Sequence, residues 1–185
     1  MRPHSVQNVL FGYLPKTVNV LGSDIPIRTD FRTWLEVGEI LRSDMSPERK
    51  AANVISLSYP EPASPVGAAF GAALAFYYAG FSRYGSGGKP ALYSADFDGR
   101  VIYSGFMKCY GIDLSESDMH WHAFAPLMCE MSGCNFSEIL AVRSMDLSNI
   151  PGDRAKKYAE QKRRFMLPGG YADSDFADCI SEVMT

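Results

Sequence analysis

One stretch of the chain concentrates side chains that could do chemistry. Residues Asp118 to Met131 read D-M-H-W-H-A-F-A-P-L-M-C-E-M and hold two of the three histidines and one of the four cysteines. Neutral imidazole and thiolate are zinc ligands, so His122 and Cys129 could bind zinc together with Cys134 or Cys109 from elsewhere in the chain. A small zinc-dependent enzyme built on His122 and Cys129 is therefore one hypothesis for the function.

Helical geometry argues against that hypothesis. The methionine, alanine and leucine content of the stretch favours a helix, which Pro126 is expected to kink or restart. On a helix, His120 falls within an apolar arc of about 120°, whereas His122 points almost the opposite way, toward Cys129. This arc consists of Trp121, Phe124, Leu127, Met128 and Met131. We expect His120 to be buried and hydrogen-bonded, His122 to be half-exposed, and the two histidines to share no metal.

Two other segments resemble ligand-binding loops but lack essential residues. Ser82 to Pro90 reads S-R-Y-G-S-G-G-K-P, and proline stands where a phosphate loop needs serine or threonine. Asp96-x-Asp98-Gly99 begins like a calcium loop, but its twelfth residue is Met107 rather than glutamate. We interpret the aspartates as a turn that caps a helix over 100–110. The sequence predicts no catalytic, cofactor-binding or metal-binding residue, predicts that the protein is not an enzyme, and leaves the partner-binding residues unassigned.

Composition predicts a single folded globular domain over residues 1–185. The chain is 46% hydrophobic and 21% charged, inside the range of globular proteins. A net charge of -3 gives no drive toward nucleic acid. The N-terminus lacks the pattern of a secretory signal, so we expect an intracellular protein with reduced cysteines.

A long uncharged segment raises the alternative of a membrane span. Residues Pro62 to Ser82 carry no charge and include a G-x-x-x-G pattern at Gly67 and Gly71. Because the run is mostly alanine and glycine, it favours a buried helix that packs closely through small residues. We expect no membrane association.

The periodicity predicts a mainly α fold, a helical bundle of about seven helices with a short N-terminal β-hairpin. The hairpin covers Thr17 to Arg28 around a turn at Gly22-Ser23-Asp24. The first predicted helix begins after a cap at Thr29 or Asp30, and the second begins at Pro47 after the cap residue Ser46. The third covers Pro65 to Phe81. Further helices are predicted over 100–110 with Gly111 as the stop, from Asp113 or Ser115 onward, over 135–143 and over 153–165. The remaining segments are an N-terminal extension at 1–16, a flexible loop at 82–90 and an acidic C-terminal tail at 168–185.

Four blocks in order resemble the bacteriophage gene-product-fifteen family of siphophages and prophages. They are D-F-R-T-W-L-E-V-G-E-I-L, D-F-D-G-R-V-I-Y-S-G-F-M-K-C-Y-G-I-D-L, M-H-W-H-A-F and F-S-E-I-L-A-V-R-S-M-D-L. The resemblance covers Ile27 to Phe165, and the family pattern carries a second tryptophan where this chain has His122. An aromatic packing position filled by histidine fits a structural role better than metal ligation.

The resemblance implies a role in phage tail morphogenesis in the host bacterial cytoplasm. The expected function is a tail assembly chaperone that binds the tape-measure protein, with a second chaperone or the major tail protein as further partners and a possible homo-oligomer. A structural tail component retained in the virion is the alternative. Met119, Met128 and Met131 are candidate client contacts because methionine adapts to varied partners. The basic helix from Arg154 to Arg164 is a candidate surface for acidic stretches of a client.

Overall fold

The computed structural model describes residues 14–81, 92–147, 150 and 152–167. Within these ranges the chain forms a two-stranded antiparallel hairpin and seven α-helices, so the predicted mainly α fold is confirmed. The strands are β1 (Thr17–Val20) and β2 (Ser23–Pro26). The helices are α1 (Phe31–Arg42), α2 (Pro47–Ser58), α3 (Val66–Ala79), α4 (Ala95–Tyr110), α5 (Trp121–Glu130), α6 (Asn135–Ser144) and α7 (Gly152–Phe165).

The described residues fall into two compact units. The first contains residues 14–81 and Asp118–Cys129, and therefore the hairpin, α1, α2, α3 and nearly all of α5. The second contains residues 92–117, 130–147, 150 and 152–167, which carry α4, α6 and α7. The expectation of a single domain over the whole chain stays a prediction.

The turn of the hairpin in the first unit starts one residue earlier than predicted and has two residues instead of three. Thr17 pairs with Pro26 and Val20 with Ser23, which leaves Leu21 and Gly22 as the two turn residues. Their φ angles are 49° and 90°. Two consecutive residues with positive φ match the twist of the flanking strands, and the side chain of Asn19 accepts a hydrogen bond from the Gly22 N–H.

Local capping fixes the starts of α1 and α2 where the sequence predicted them. The Asp30 side chain accepts a hydrogen bond from the Arg32 N–H, and Ser46 precedes Pro47 at the first position of α2. At the other end of α2, the guanidinium of Arg28 donates to the carbonyl oxygens of Ser56 and Leu57 at 2.9 and 2.6 Å. Arg28 thus supplies the positive charge that the last turn of α2 lacks.

The glycines of the G-x-x-x-G pattern do not make the close packing that the sequence suggested. A Cβ placed on Gly67 or Gly71 would have no neighbouring atom within 4 Å. The buried small residues of α3 are Ala69 and Ala73 on the opposite side of the helix. Among the described residues, no helix is both long and apolar enough to cross a membrane.

In the second unit, α4 begins five residues before the predicted start. Ser94 is its N-cap, and its hydroxyl accepts a hydrogen bond from the Phe97 N–H. Asp96 and Asp98 therefore lie in the first helical turn, where carboxylates favour the helix dipole, and they do not form the predicted turn. Gly111 ends the helix at a φ of 66°, as predicted.

A further predicted boundary is also wrong. Asp113 and Ser115 close a short turn, in which the Asp113 carboxylate accepts from the Ser115 N–H at 2.8 Å and the Ser115 hydroxyl at 2.6 Å. The next helix, α5, starts only at Trp121. The loop 82–90, the tail 168–185 and most of the extension 1–16 lie outside the described residues.

Candidate functional site

His120 lies just before α5, so the prediction that it shares a helix with His122 is wrong. An antiparallel β-bridge pairs His120 with Asp30. In that bridge the Phe31 N–H donates to the Met119 carbonyl, and the Trp121 N–H donates to the Thr29 carbonyl, at 3.0 and 2.7 Å. The bridge fixes the starts of α1 and α5 against each other, which explains why the helix cannot extend to His120.

Both ring nitrogens of His120 have protein partners. Its Nδ1 accepts from the His122 N–H at 3.0 Å, which places the ring proton on Nε2, 2.9 Å from the Pro15 carbonyl oxygen. Burial lowers the pKa of His120 below its usual value. His120 is therefore a neutral, half-buried structural residue.

His122 is buried, with 5% of its surface exposed, and not half-exposed as predicted. Its Nε2 donates to the Phe76 carbonyl oxygen at 2.8 Å, and its ring stacks on Phe76 with centroids 4.3 Å apart. Burial also lowers the pKa of His122. The two histidine rings lie 5.2 Å apart edge to face, because His120 is not constrained to the opposite side of a helix.

Three side chains of the predicted apolar stripe, Trp121, Phe124 and Met128, are buried in the first unit. Trp121 and Phe124 are fully buried, and the Trp121 ring stacks on Tyr77 with centroids 5.3 Å apart. The Trp121 Nε1–H donates to the Tyr77 carbonyl, and Phe124 stacks on Phe31 at 4.5 Å. These side chains are held within the first unit and are not available to a partner.

Among the described residues, the cysteines and histidines form no metal centre. Cys129 is exposed at the end of α5, whereas His122 is buried with its Nε2 engaged. Over the described ranges, no three histidine, cysteine or carboxylate side chains lie close enough to hold a metal ion.

Cys134 is instead the N-cap of α6. Burial raises the pKa of its thiol, but hydrogen bonds with Ser137, Cys109 and the Phe136 backbone together lower it further than burial raises it.

A buried ion pair that the sequence did not predict organises the second unit. Asp98 and Arg143 form a bidentate pair, with distances of 2.6 Å from Nη1 to Oδ2 and 2.9 Å from Nη2 to Oδ1. Arg143 also donates to the carbonyl oxygens of Leu92 and Phe165, at 2.8 and 2.6 Å. One guanidinium thus ties the start of α4, the end of α6 and the end of α7 together.

Beside this pair lies an open groove of about 290 Å³. Its lining residues are Phe97, Asp98, Val101, Ile139, Arg143, Arg164, Phe165, Met166 and Leu167. Phe97 and Met166 are large apolar side chains, yet they are 59% and 64% exposed. We call this surface the α4/α7 groove. Apolar side chains of this size at an open concave surface are typical of protein binding sites.

Helix α7 adds positive charge next to the groove. It carries six basic and two acidic residues, and none of its residues is buried. Arg164 at its last turn also lines the groove. The groove therefore combines exposed apolar side chains with a cationic edge.

Comparison with known families agrees with the resemblance seen in the sequence blocks. The profile of the family described as Bacteriophage Gp15 protein matches residues 10–167. The chain belongs to this family and is a bacteriophage protein. No curated protein and no solved structure matches it.

Proposed function

We propose that this phage protein is a tail assembly chaperone that binds the tape-measure protein in the host cytoplasm while the tail tube assembles. The family assignment places it among phage proteins. The observation that supports a binding role is the α4/α7 groove, where Phe97 and Met166 stay exposed although the chain has a well-formed core. A chaperone of a long amphipathic helix needs an apolar surface of this kind.

We also propose that the groove is a binding surface and not an active site. The charged groups on its floor are Asp98 and Arg143, and they satisfy each other. The rest of its lining is mostly apolar, with Arg164 at the edge. This arrangement suits contact with a polypeptide better than proton transfer or nucleophilic attack.

Co-expression with the tape-measure protein of the same phage tests the proposal. The chain should raise the soluble fraction of the tape-measure protein several-fold. Burying one large apolar side chain contributes about 1.5–3 kcal/mol, so the double variant Phe97→Ser/Met166→Ser should lower client affinity about tenfold or more.

The matched control is Val66→Ser. Val66 is 58% exposed but lies on α3, in the other unit. A client whose solubility does not depend on the chain would refute the chaperone role. A loss of binding in Val66→Ser equal to that of the double variant would refute the groove as the binding surface. Detection of the chain in purified virions at the copy number of a tail component would favour the retained structural role instead.

A further inference from the structure

Two cysteines of the second unit lie side by side although they are far apart in the sequence. Cys109 is in the last turn of α4, and Cys134 is the N-cap of α6. The Cys109 thiol donates to the Ser132 carbonyl oxygen, with 3.5 Å between sulfur and oxygen, and the Lys108 ammonium donates to the Gly133 carbonyl oxygen. These two contacts hold the segment that leads into α6 against the end of α4.

The glycine one turn before Cys109 leaves room for the second thiol. A Cβ added to Gly105 would lie 3.5 Å from the Cys134 sulfur, so this sulfur packs directly on the backbone of α4. Residues four apart lie on the same face of a helix, and helical side chains lean toward the N-terminus. The Cys109 side chain therefore leans toward the Cys134 sulfur, and the two thiols are hydrogen-bonded to each other.

The two thiols differ in their access to solvent. Cys109 is partly exposed, whereas only 2% of the Cys134 surface is exposed. Burial raises the pKa of the Cys134 thiol, but hydrogen bonds with Ser137, Cys109 and the Phe136 backbone together bring this pKa below its usual value. The pair therefore has an outer thiol that an oxidant reaches first and an inner thiol with an increased thiolate fraction.

We propose that Cys109 and Cys134 are a site of reversible oxidation, at which a small-molecule disulfide converts the two thiols into an intramolecular disulfide. The Cys109 thiolate first attacks the small disulfide, which forms a mixed disulfide and releases one small thiolate. The Cys134 thiolate then attacks the Cys109 sulfur and releases the second small thiolate. The two cysteine protons pass to the two released thiolates, so one small disulfide is reduced to two thiols while one protein disulfide forms.

The disulfide would fasten two helices of the second unit to each other. A reducing cytoplasm keeps such a pair as thiols, so the bond forms only when small disulfides accumulate. It joins α4 to α6, which carry Phe97, Val101, Ile139 and Arg143 on the lining of the α4/α7 groove. Closing a loop of about 25 residues restricts the unfolded chain and should lower the local opening of α4 and α6 by about 30-fold or more.

Mass spectrometry of the native full chain, treated with oxidised glutathione, tests the site. The oxidant is added until Cys129, which is exposed at the end of α5, carries glutathione. We expect proteolytic digests to contain a Cys109–Cys134 linkage within one chain, with no mixed disulfide accumulating at either residue. Dithiothreitol should return the pair to two thiols.

Single serine substitutions separate the roles of the two thiols. Serine is a preferred N-cap residue, so Cys134→Ser should keep α6 intact, and its Cys109 should stop at the mixed disulfide with glutathione. In Cys109→Ser, the buried Cys134 should stay reduced while Cys129 reacts. Equal reaction of Cys134 in the parent chain and in Cys109→Ser would contradict the order of the two steps.

A pair that stays reduced after Cys129 has reacted would overturn the proposal. Glutathione that accumulates on Cys109 of the parent chain, or a linkage between two chains, would overturn it too. Amide hydrogen exchange is the second measurement, and exchange in α4 and α6 should slow by about 30-fold or more on oxidation and recover on reduction. None of these results depends on a client, so failure of this inference is distinguishable from failure of the chaperone role.

Discussion

Arg143→Met should destabilise the second unit severely. Methionine keeps much of the apolar stem of arginine but removes every donor. It leaves the Asp98 carboxylate, 5% exposed, without its cation and the carbonyls of Leu92 and Phe165 without the hydrogen bonds that Arg143 gave them. Breaking a buried pair in this way costs about 3–5 kcal/mol, against a total stability of about 5–15 kcal/mol for an ordinary domain.

A double-mutant cycle separates the pair from its parts. Asp98→Leu/Arg143→Met removes both charges, so it should cost at least about 2 kcal/mol less than the two single substitutions added together. Arg154→Met on the exposed face of α7 is the control and should change stability by less than about 0.5 kcal/mol.

The measurement must follow the unfolding of the second unit. Trp34 and Trp121, the two tryptophans, both lie in the first unit, so their fluorescence follows the wrong part of the chain. Amide hydrogen exchange at α4 and α6, measured as a function of urea, gives the local unfolding free energy instead. A cost below about 1 kcal/mol for Arg143→Met, or strict additivity in the cycle, would refute the argument that this pair holds the groove together.

Four further substitutions test the first unit by urea unfolding. Gly80→Ala should destabilise the first unit by about 1–3 kcal/mol, because the new Cβ would lie 2.6 Å from the Trp121 Nε1. An unchanged free energy of unfolding would mean that the end of α3 packs less tightly against Trp121. A Cβ added at Gly67 or Gly71 would have no neighbour within 4 Å, so Gly67→Ala and Gly71→Ala should each stabilise the first unit by about 0.5–1 kcal/mol through helix propensity. Destabilisation would reveal a contact with another molecule. Burial lowers the folded pKa of His122 below the model-compound value of 6.5, so the unfolded chain takes up the proton first and stability is lost as pH falls below about 6.5. His122→Asn should reduce the loss of unfolding free energy at acidic pH, by at most about 1.4 kcal/mol for each pH unit. The same dependence of stability on pH in the variant and the parent would contradict a neutral His122.

The predictions that held depend on neighbours in the sequence. Asp30, Ser46 and Gly111 act on backbone groups within four residues, so residue type and order were enough to place those helix ends. The predicted start of α4 was five residues late although the local Ser94 cap was present in the sequence. The Asp-Phe-Asp-Gly run satisfies the pattern of a turn, and only the Ser94 cap and the burial of Asp98 against Arg143 decide for a helix.

The failed predictions for the two histidines depend on partners far along the chain. His122 can be buried because the Phe76 carbonyl oxygen, 46 residues away, accepts a hydrogen bond from its ring. His120 leaves the helix because it pairs with Asp30. Asp98 and Arg143 are 45 residues apart and belong to different helices, so no local spacing connects them.

The burial of the methionines changes which residues are candidates for client contacts. The sequence placed the candidate client contacts on α5, but Met128 and Met131 are buried and Met119 lies before the helix. Met131 is in fact fixed against Gly105, where an added Cβ would lie 2.7 Å from its sulfur. A buried methionine adapts to its own core and cannot adapt to a client. Met166, just after α7, is 64% exposed and lines the α4/α7 groove, so this groove replaces the His-Trp-His stretch as the proposed client surface.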